Sequence, residues 1–151
     1  MKFIIDAYNV IGQLDHIELS HPNKASLFID WIERNKNKKD QMVLVFDGKN
    51  KWLDFTTTQH RQGIKIIHTP VSLTADDYIK QKIEKMSDRS NVVVVSSDQD
   101  ICFFVKKQQV KVWSSKAFIL YLLKKNELEK VKESPQINQQ HIDYWMNEFL
   151  D

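Results

Sequence analysis

The sequence predicts an α/β sandwich around a mainly parallel sheet, and three observations carry that expectation. Short apolar runs rich in β-branched residues alternate with stretches whose apolar residues recur at helical spacing. The strongest runs, Met42–Phe46 and Val92–Val95, show no in-out alternation, as expected of strands covered on both faces. The chain has 151 residues, 42% of them hydrophobic and 28% charged, which suits one ordinary domain and is too short for two.

In chain order, Phe3-Ile4-Ile5 supplies the first strand. Residues 23–35 set Leu27, Phe28, Trp31 and Ile32 on one helical stripe that ends in a basic, polar run. Met42–Phe46 is the second strand. Residues 48–62 have poor periodicity and read as a long loop holding at most one short helix. Ile64–Ile67 is the third strand, followed by a helix over 75–86 with Thr74 as its N-cap and Ala75, Ile79, Ile83 and Met86 on one face. Val92–Val95 is the fourth strand, and a short helix after Asp98 carries Ile101, Phe104 and Val105. Val110–Trp113 is a weaker fifth strand, and 115–129 a helix with Phe118, Ile119, Leu122 and Leu123. Residues 130–151 read as a polar linker with Pro135 and a C-terminal amphipathic helix over 141–150, appended to a single domain spanning 1–151.

Several function classes fall away. One cysteine, Cys102, excludes a disulfide scaffold within the chain and a cysteine-based zinc site, and its place in an apolar run suits core packing. No apolar run approaches the roughly 20 residues of a membrane span, and Asp6 interrupts the N-terminal run too early for a signal peptide. The expected setting is a reducing, cytoplasmic one. No P-loop, dinucleotide fingerprint, nucleophile elbow or H-E-x-x-H motif is present.

The positive signal is where the strands end. The first finishes at Asp6, the second at Asp47-Gly48, and the fourth runs into Ser96-Ser97-Asp98 with Asp100 two residues on. Parallel strands finish on one edge, and open α/β sheets bind ligands just beyond it. Asp76, starting the helix after the third strand, enters the same region. Each acid has a plainer role as well: Asp47-Gly48 is a turn pair, Asp76 and Asp77 suit a helix dipole, and Asp98 and Asp100 suit a cap and first turn. Together, though, Asp6, Asp47, Asp76, Asp98 and Asp100 on one rim would repel each other unless a cation neutralised them. One or two hard ions, Mg²⁺ or Mn²⁺, fit an all-oxygen donor set, and such ions serve phosphodiester cleavage.

Four segments in order, Ile4-Ile5-Asp6-Ala7-Tyr8-Asn9, Val45-Phe46-Asp47-Gly48, Thr74-Ala75-Asp76-Asp77 and Val95-Ser96-Ser97-Asp98-Gln99-Asp100, resemble the NYN-domain ribonucleases of the PIN-like superfamily. Within them, the likeness is to the small bacterial YacP-like group of ribosome-dependent mRNA endonucleases. The resemblance implies a PIN-like three-layer α/β/α sandwich and metal-dependent RNA hydrolysis. It implies Asp6, Asp76 and Asp98 at the centre of the metal site, Asp47 and Asp100 as additional ligands, and Asn9 as partner of the first acid. Ala7 stands where the family usually has Gly. Implied partners are RNA, mRNA first, and the ribosome. Two other readings stay open: a non-catalytic RNA- or ribosome-binding module of the same fold, and a toxin-like PIN nuclease acting on tRNA or rRNA.

An acidic pit repels a polyanion, so binding needs cations around it. Lys49 and Lys51 flank the second acidic segment, Lys80 lies one helical turn after Asp76, and Lys106 and Lys107 form another group. Ser97 is a candidate donor to a phosphate or an acid. Trp52 and Phe55 are candidates to stack on bases or to anchor their loop, and His68 ends a strand near the rim. The net charge of +2 conceals an uneven distribution: residues 1–125 hold twenty basic and fourteen acidic side chains, net +6, whereas residues 126–151 hold two and six, net −4.

Overall fold

The computed structural model describes residues 1–48 and 54–132, with side chains through Lys124. Among the described residues, eleven elements follow in the order β1 (Lys2–Asp6), α1 (Ala7–Ile11), α2 (Lys24–Asn35), β2 (Gln41–Phe46), β3 (Thr57–Arg61), β4 (Ile64–His68), α3 (Ala75–Lys85), β5 (Val92–Val95), α4 (Gln99–Lys107), β6 (Lys111–Trp113) and α5 (Ser115–Lys132). They form one six-stranded sheet in the order β3-β4-β2-β1-β5-β6. Every neighbouring pair is parallel except β3 with β4.

The sheet is the middle of three layers because its strands are apolar on both sides. Phe3, Ile5, Leu44, Phe46, Val93 and Val95 face α1, α2 and α5, where Phe28, Ile32, Phe118 and Leu122 complete one core. Ile4, Val43, Val45, Ile67, Val92 and Val94 face α3 and α4, where Ile79, Ile83, Ile101 and Val105 complete the other. Phe3 anchors the first core by ring contacts to Trp113, Phe118 and Tyr121 at centroid separations of 5.3, 5.3 and 5.6 Å. The expected α/β/α sandwich is therefore the fold.

Three elements differ from expectation. The stretch read as a loop over 48–62 contains β3, an antiparallel edge strand paired residue for residue with β4. Its Thr-Thr-Gln-His-Arg sequence is largely exposed, so it has no hydrophobic alternation to reveal it. It is held by the Gln62-Gly63 turn, both residues at positive φ (48° and 79°), and by Arg61, which bridges Asp30 at 2.8 Å and Glu33 at 2.7 Å on α2. The second difference is α1, a short helix that begins directly at the end of β1 and turns the chain at Asp6. Helix α5 also continues through Lys132, into the segment expected to be a linker. The C-terminal helix expected over 141–150 lies outside the described residues.

Gly48 fixes the path of the chain beyond β2. Its N–H donates to Thr69 Oγ1 at 3.1 Å, and a Cβ there would lie 1.6 Å from the Thr69 carbonyl oxygen. The loops after β2 and β4 are thus pressed together at the edge where both strands end.

Candidate active site

Each acid reaches the carboxyl edge of the sheet by its own local device. Asp6 is the last residue of β1 and the N-cap of α1. Asp47 follows β2. Asp76 sits in the first turn of α3, whose start is fixed by Thr74 Oγ1 accepting from the Asp77 N–H at 3.1 Å. Asp98 caps α4: its Oδ1 accepts from the N–H groups of Asp100 at 2.9 Å and Ile101 at 3.2 Å. This cap turns Asp98 and Asp100 toward the same space. Carboxylate oxygens of Asp76, Asp98 and Asp100 lie within 4.8 Å of one another.

Asp100, expected as an additional ligand, thus stands with Asp76 and Asp98 in the one such group among the described residues, while Asp6 and Asp47 stand beside it. Their proximity is electrostatic: burial pushes the Asp6 carboxyl up to about 6, and Asp98, Asp76 and Asp47 push in the same direction. Only the Ser96 hydroxyl, donating to Asp6 Oδ2 at 3.1 Å, opposes that rise. Asp47 also reaches Tyr8, whose phenol is raised by burial first and by this carboxylate second.

A hydroxyl and amide lattice underlies the acids. Ser96 Oγ, fully buried, donates to Asp6 and accepts from the Asp98 N–H at 3.1 Å, so one serine ties two acids together. Asn9 Oδ1 accepts from the Ser97 N–H at 2.9 Å and from Ser115 Oγ at 2.6 Å. Ser97 Oγ accepts from the Ser115 N–H at 3.1 Å. Asn9 therefore joins α1, the loop after β5 and the start of α5. Ser96 and Ser115 were not singled out from the sequence, although both sit in short polar segments that close apolar strands. Cys102, expected in the core, is only partly buried and donates weakly to the Ser96 carbonyl at 3.3 Å, while burial raises its thiol.

The family model for the YacP-like NYN domain matches residues 3–150. The chain belongs to the YacP-like NYN family. This is a nuclease family. Two crystal structures of Rae1 (YacP) from Bacillus subtilis share the fold of this NYN domain. One matches with 16% identity over 97% of this chain and 87% of that one, at a TM-score of 0.64. The other, a mutant, matches with 21% identity over 87% and 77%, at a TM-score of 0.60. No curated protein matches the chain.

The basic residues of this NYN domain are distributed unevenly about the rim. Lys80 is at the acids, its Nζ 3.0 Å from Asp76 Oδ1, and that carboxylate raises its ammonium. Lys106 and Lys107 end α4, which runs back from the rim; the neighbouring Gln108 carbonyl accepts from Arg89, just ahead of β5, at 3.1 Å. Both lysines thus lie toward the opposite edge of the sheet, and Lys107 rests over the exposed Phe103 ring at 4.3 Å. Lys49, Lys51 and Trp52 lie outside the described residues. Phe55 is exposed, and His68 stacks on Phe46 at 5.1 Å. Among the described residues, no helix is long and apolar enough to cross a membrane.

Proposed function

We propose that this NYN domain is a metal-dependent endoribonuclease that hydrolyses RNA phosphodiester bonds, with mRNA as substrate, the ribosome as partner and the cytoplasm as its setting. The observation that carries the reading is the meeting of Asp76, Asp98 and Asp100 at the carboxyl edge of the sheet. The donor set is all carboxylate oxygen, which suits Mg²⁺ or Mn²⁺. Asp76 Oδ1 supports the fit: it is a buried carboxylate oxygen whose charge is met by the Lys80 ammonium at 3.0 Å, a cation already held at the acidic group.

In this reading Asp76, Asp98 and Asp100 would hold the ion, and Asp6 and Asp47 complete the acidic wall. Bound there, a divalent ion would supply positive charge to polarise a water and offset charge on the phosphoryl oxygens. The Asp98 cap and the Ser96 bridge keep the carboxylates aimed before substrate arrives. Asn9 positions the loop after β5 through Ser97 and Ser115, acting on the acids indirectly. Lys80 trades its partner Asp76 for a substrate phosphate, and Lys49 and Lys51 add backbone contacts. The Ser97 N–H and Oγ both serve the protein framework, so its role is support. Lys106 and Lys107 contact only RNA that extends well beyond the scissile bond. The mRNA and ribosome assignments rest on the four motifs shared with the YacP-like group. So does the assignment of the whole of 1–151 to one domain.

The test incubates wild type and Asp76→Asn with naked RNA and with translating ribosomes, each with Mn²⁺, Mg²⁺ or EDTA. Cleavage by wild type that needs the metal and disappears in the variant is the expected result. RNA binding without cleavage under every condition would identify a non-catalytic module, and cleavage confined to tRNA or rRNA a toxin-like nuclease.

A further inference from the structure

A second charged constellation lies at the other end of the same sheet face. Lys2 opens β1 and Lys65 is the second residue of β4, and strand alternation puts both on the face of Ile4 and Ile67, under α3. Lys82 and Lys85 descend from α3 to meet them. A cavity of about 390 Å³ is lined by Lys2, Lys82 and Lys85 together with Tyr78, Gln81 and Met86. A second, of about 250 Å³, joins Lys2 and Lys65 to His60 on β3. None of the four lysines has a carboxylate at ion-pair distance among the described residues.

Clustered like charges are costly, and here the cost is visible. Lys82 is pressed down to about 8 by burial first and then by Lys65 and Lys2. A fold that needed only a filled surface would place a carboxylate or an apolar side chain here. Ammonium groups converging on concave space are instead complementary to an anion with several oxygens. The cluster is aligned with the acids: Lys2 is four strand residues from Asp6, about 13 Å, and Lys82 is six helix residues from Asp76, about 9 Å.

We propose that Lys2, Lys65, Lys82 and Lys85 form a phosphate-binding subsite that grips the backbone of an RNA strand whose scissile bond lies at the acidic rim. The subsite rests on the nuclease reading above and gives it a direction: the strand runs along the flank of α3, over the open β4–β3 part of the sheet. Binding there is electrostatic and indifferent to base identity.

The experiment measures fluorescence anisotropy of a labelled single-stranded oligoribonucleotide in EDTA over a range of salt concentrations. The proteins are wild type, the double variant Lys65→Gln/Lys82→Gln, and Lys111→Gln, which removes an exposed charge elsewhere. The double variant is expected to bind about tenfold more weakly, with a salt slope shallower by about 1.4, near 0.7 for each charge lost. Its melting temperature should equal or exceed that of wild type, because the substitutions relieve repulsion. Lys111→Gln should change affinity less than about twofold. Wild-type affinity and slope in the double variant would overturn the subsite, as would an equal loss in Lys111→Gln. A cleavage assay with Mn²⁺ separates the two readings. If the double variant binds and cleaves like an active wild type, the subsite alone fails; if wild type neither binds nor cleaves, both fail.

Discussion

Ser96 Oγ donates to Asp6 Oδ2 at 3.1 Å, across 90 residues of sequence, and this bond is the one influence that lowers the proton affinity of the Asp6 carboxyl. Replacing Ser96 with Ala removes the donor and also leaves the Asp98 N–H without its side-chain acceptor. The Asp6 carboxyl should then rise further above about 6. In metal-free protein, an NMR titration of the Asp6 carboxyl should show its midpoint moved to higher pH, and cleavage with metal at neutral pH should fall about tenfold, the scale of one lost charge-assisted hydrogen bond. An unshifted midpoint would count against the Ser96 hydroxyl as the group that holds the Asp6 carboxyl down.

Burial of Asp6 also makes a stability prediction for metal-free protein. Its folded-state value of about 6 lies above the ordinary 3.8, so folding favours the protonated form. The stability this contributes is fully present below pH 4 and is lost as pH rises through about 6. The shift corresponds to about 3 kcal/mol at most. In EDTA, Asp6→Asn should therefore melt higher than wild type at pH 7.5, and the gap should close near pH 4. Thermal denaturation at both pH values checks it, and a gap independent of pH would contradict the assignment.

Asn9 is a framework residue whose loss should be felt at the acids. Asn9→Ala strips the acceptor from the Ser97 N–H and from the buried Ser115 hydroxyl. The expected cost is about 1–3 kcal/mol by denaturant unfolding. Cleavage should fall as well, through kcat more than KM, because the loop carrying Asp98 loses its brace. Asn9→Asp, which keeps an acceptor, should recover stability better than Ala does.

Gly48 offers a cleaner structural test. A methyl group there meets the Thr69 carbonyl at 1.6 Å, too close for any rotamer to relieve. Gly48→Ala should destabilise the protein by about 3 kcal/mol, the upper part of the overpacking range. It should also separate the loops after β2 and β4, displacing Asp47. An unfolding midpoint equal to that of wild type would show that the two loops part at no cost.

Where the sequence was legible, the reason is burial. Met42–Phe46 and Val92–Val95 are covered on both faces, so each reads as an unbroken apolar run, and the acid that ends the run marks the rim. β3 had no such signature, being exposed on an edge and held by a turn and by Arg61. The acids at the rim were visible as a set, but their grouping was not. Asp100 joins Asp76 and Asp98 because α4 starts with a side-chain cap, a detail of a few backbone dihedrals. Ser96 and Ser115 are told apart from their neighbours Ser97 and Ser114 only by burial and by partners distant in sequence, which exist only in the fold. Lys106 and Lys107 were expected among the cations around the acidic pit, yet six and seven residues of helix carry them about 9–10 Å from Asp100 along α4.

The central place of β1 has a consequence in time as well as space. β1 is made first, but its two neighbours are β2 and β5, and β5 begins at residue 92. The Asp6 carboxylate acquires its Ser96 partner only when that strand docks, and Asp98 and Asp100 follow it in the chain. Asp6 and Asp47 come early in chain order, and the acids that join them come only with α3, β5 and α4. The strand order thereby delays assembly of the acidic rim until β5 has docked beside β1.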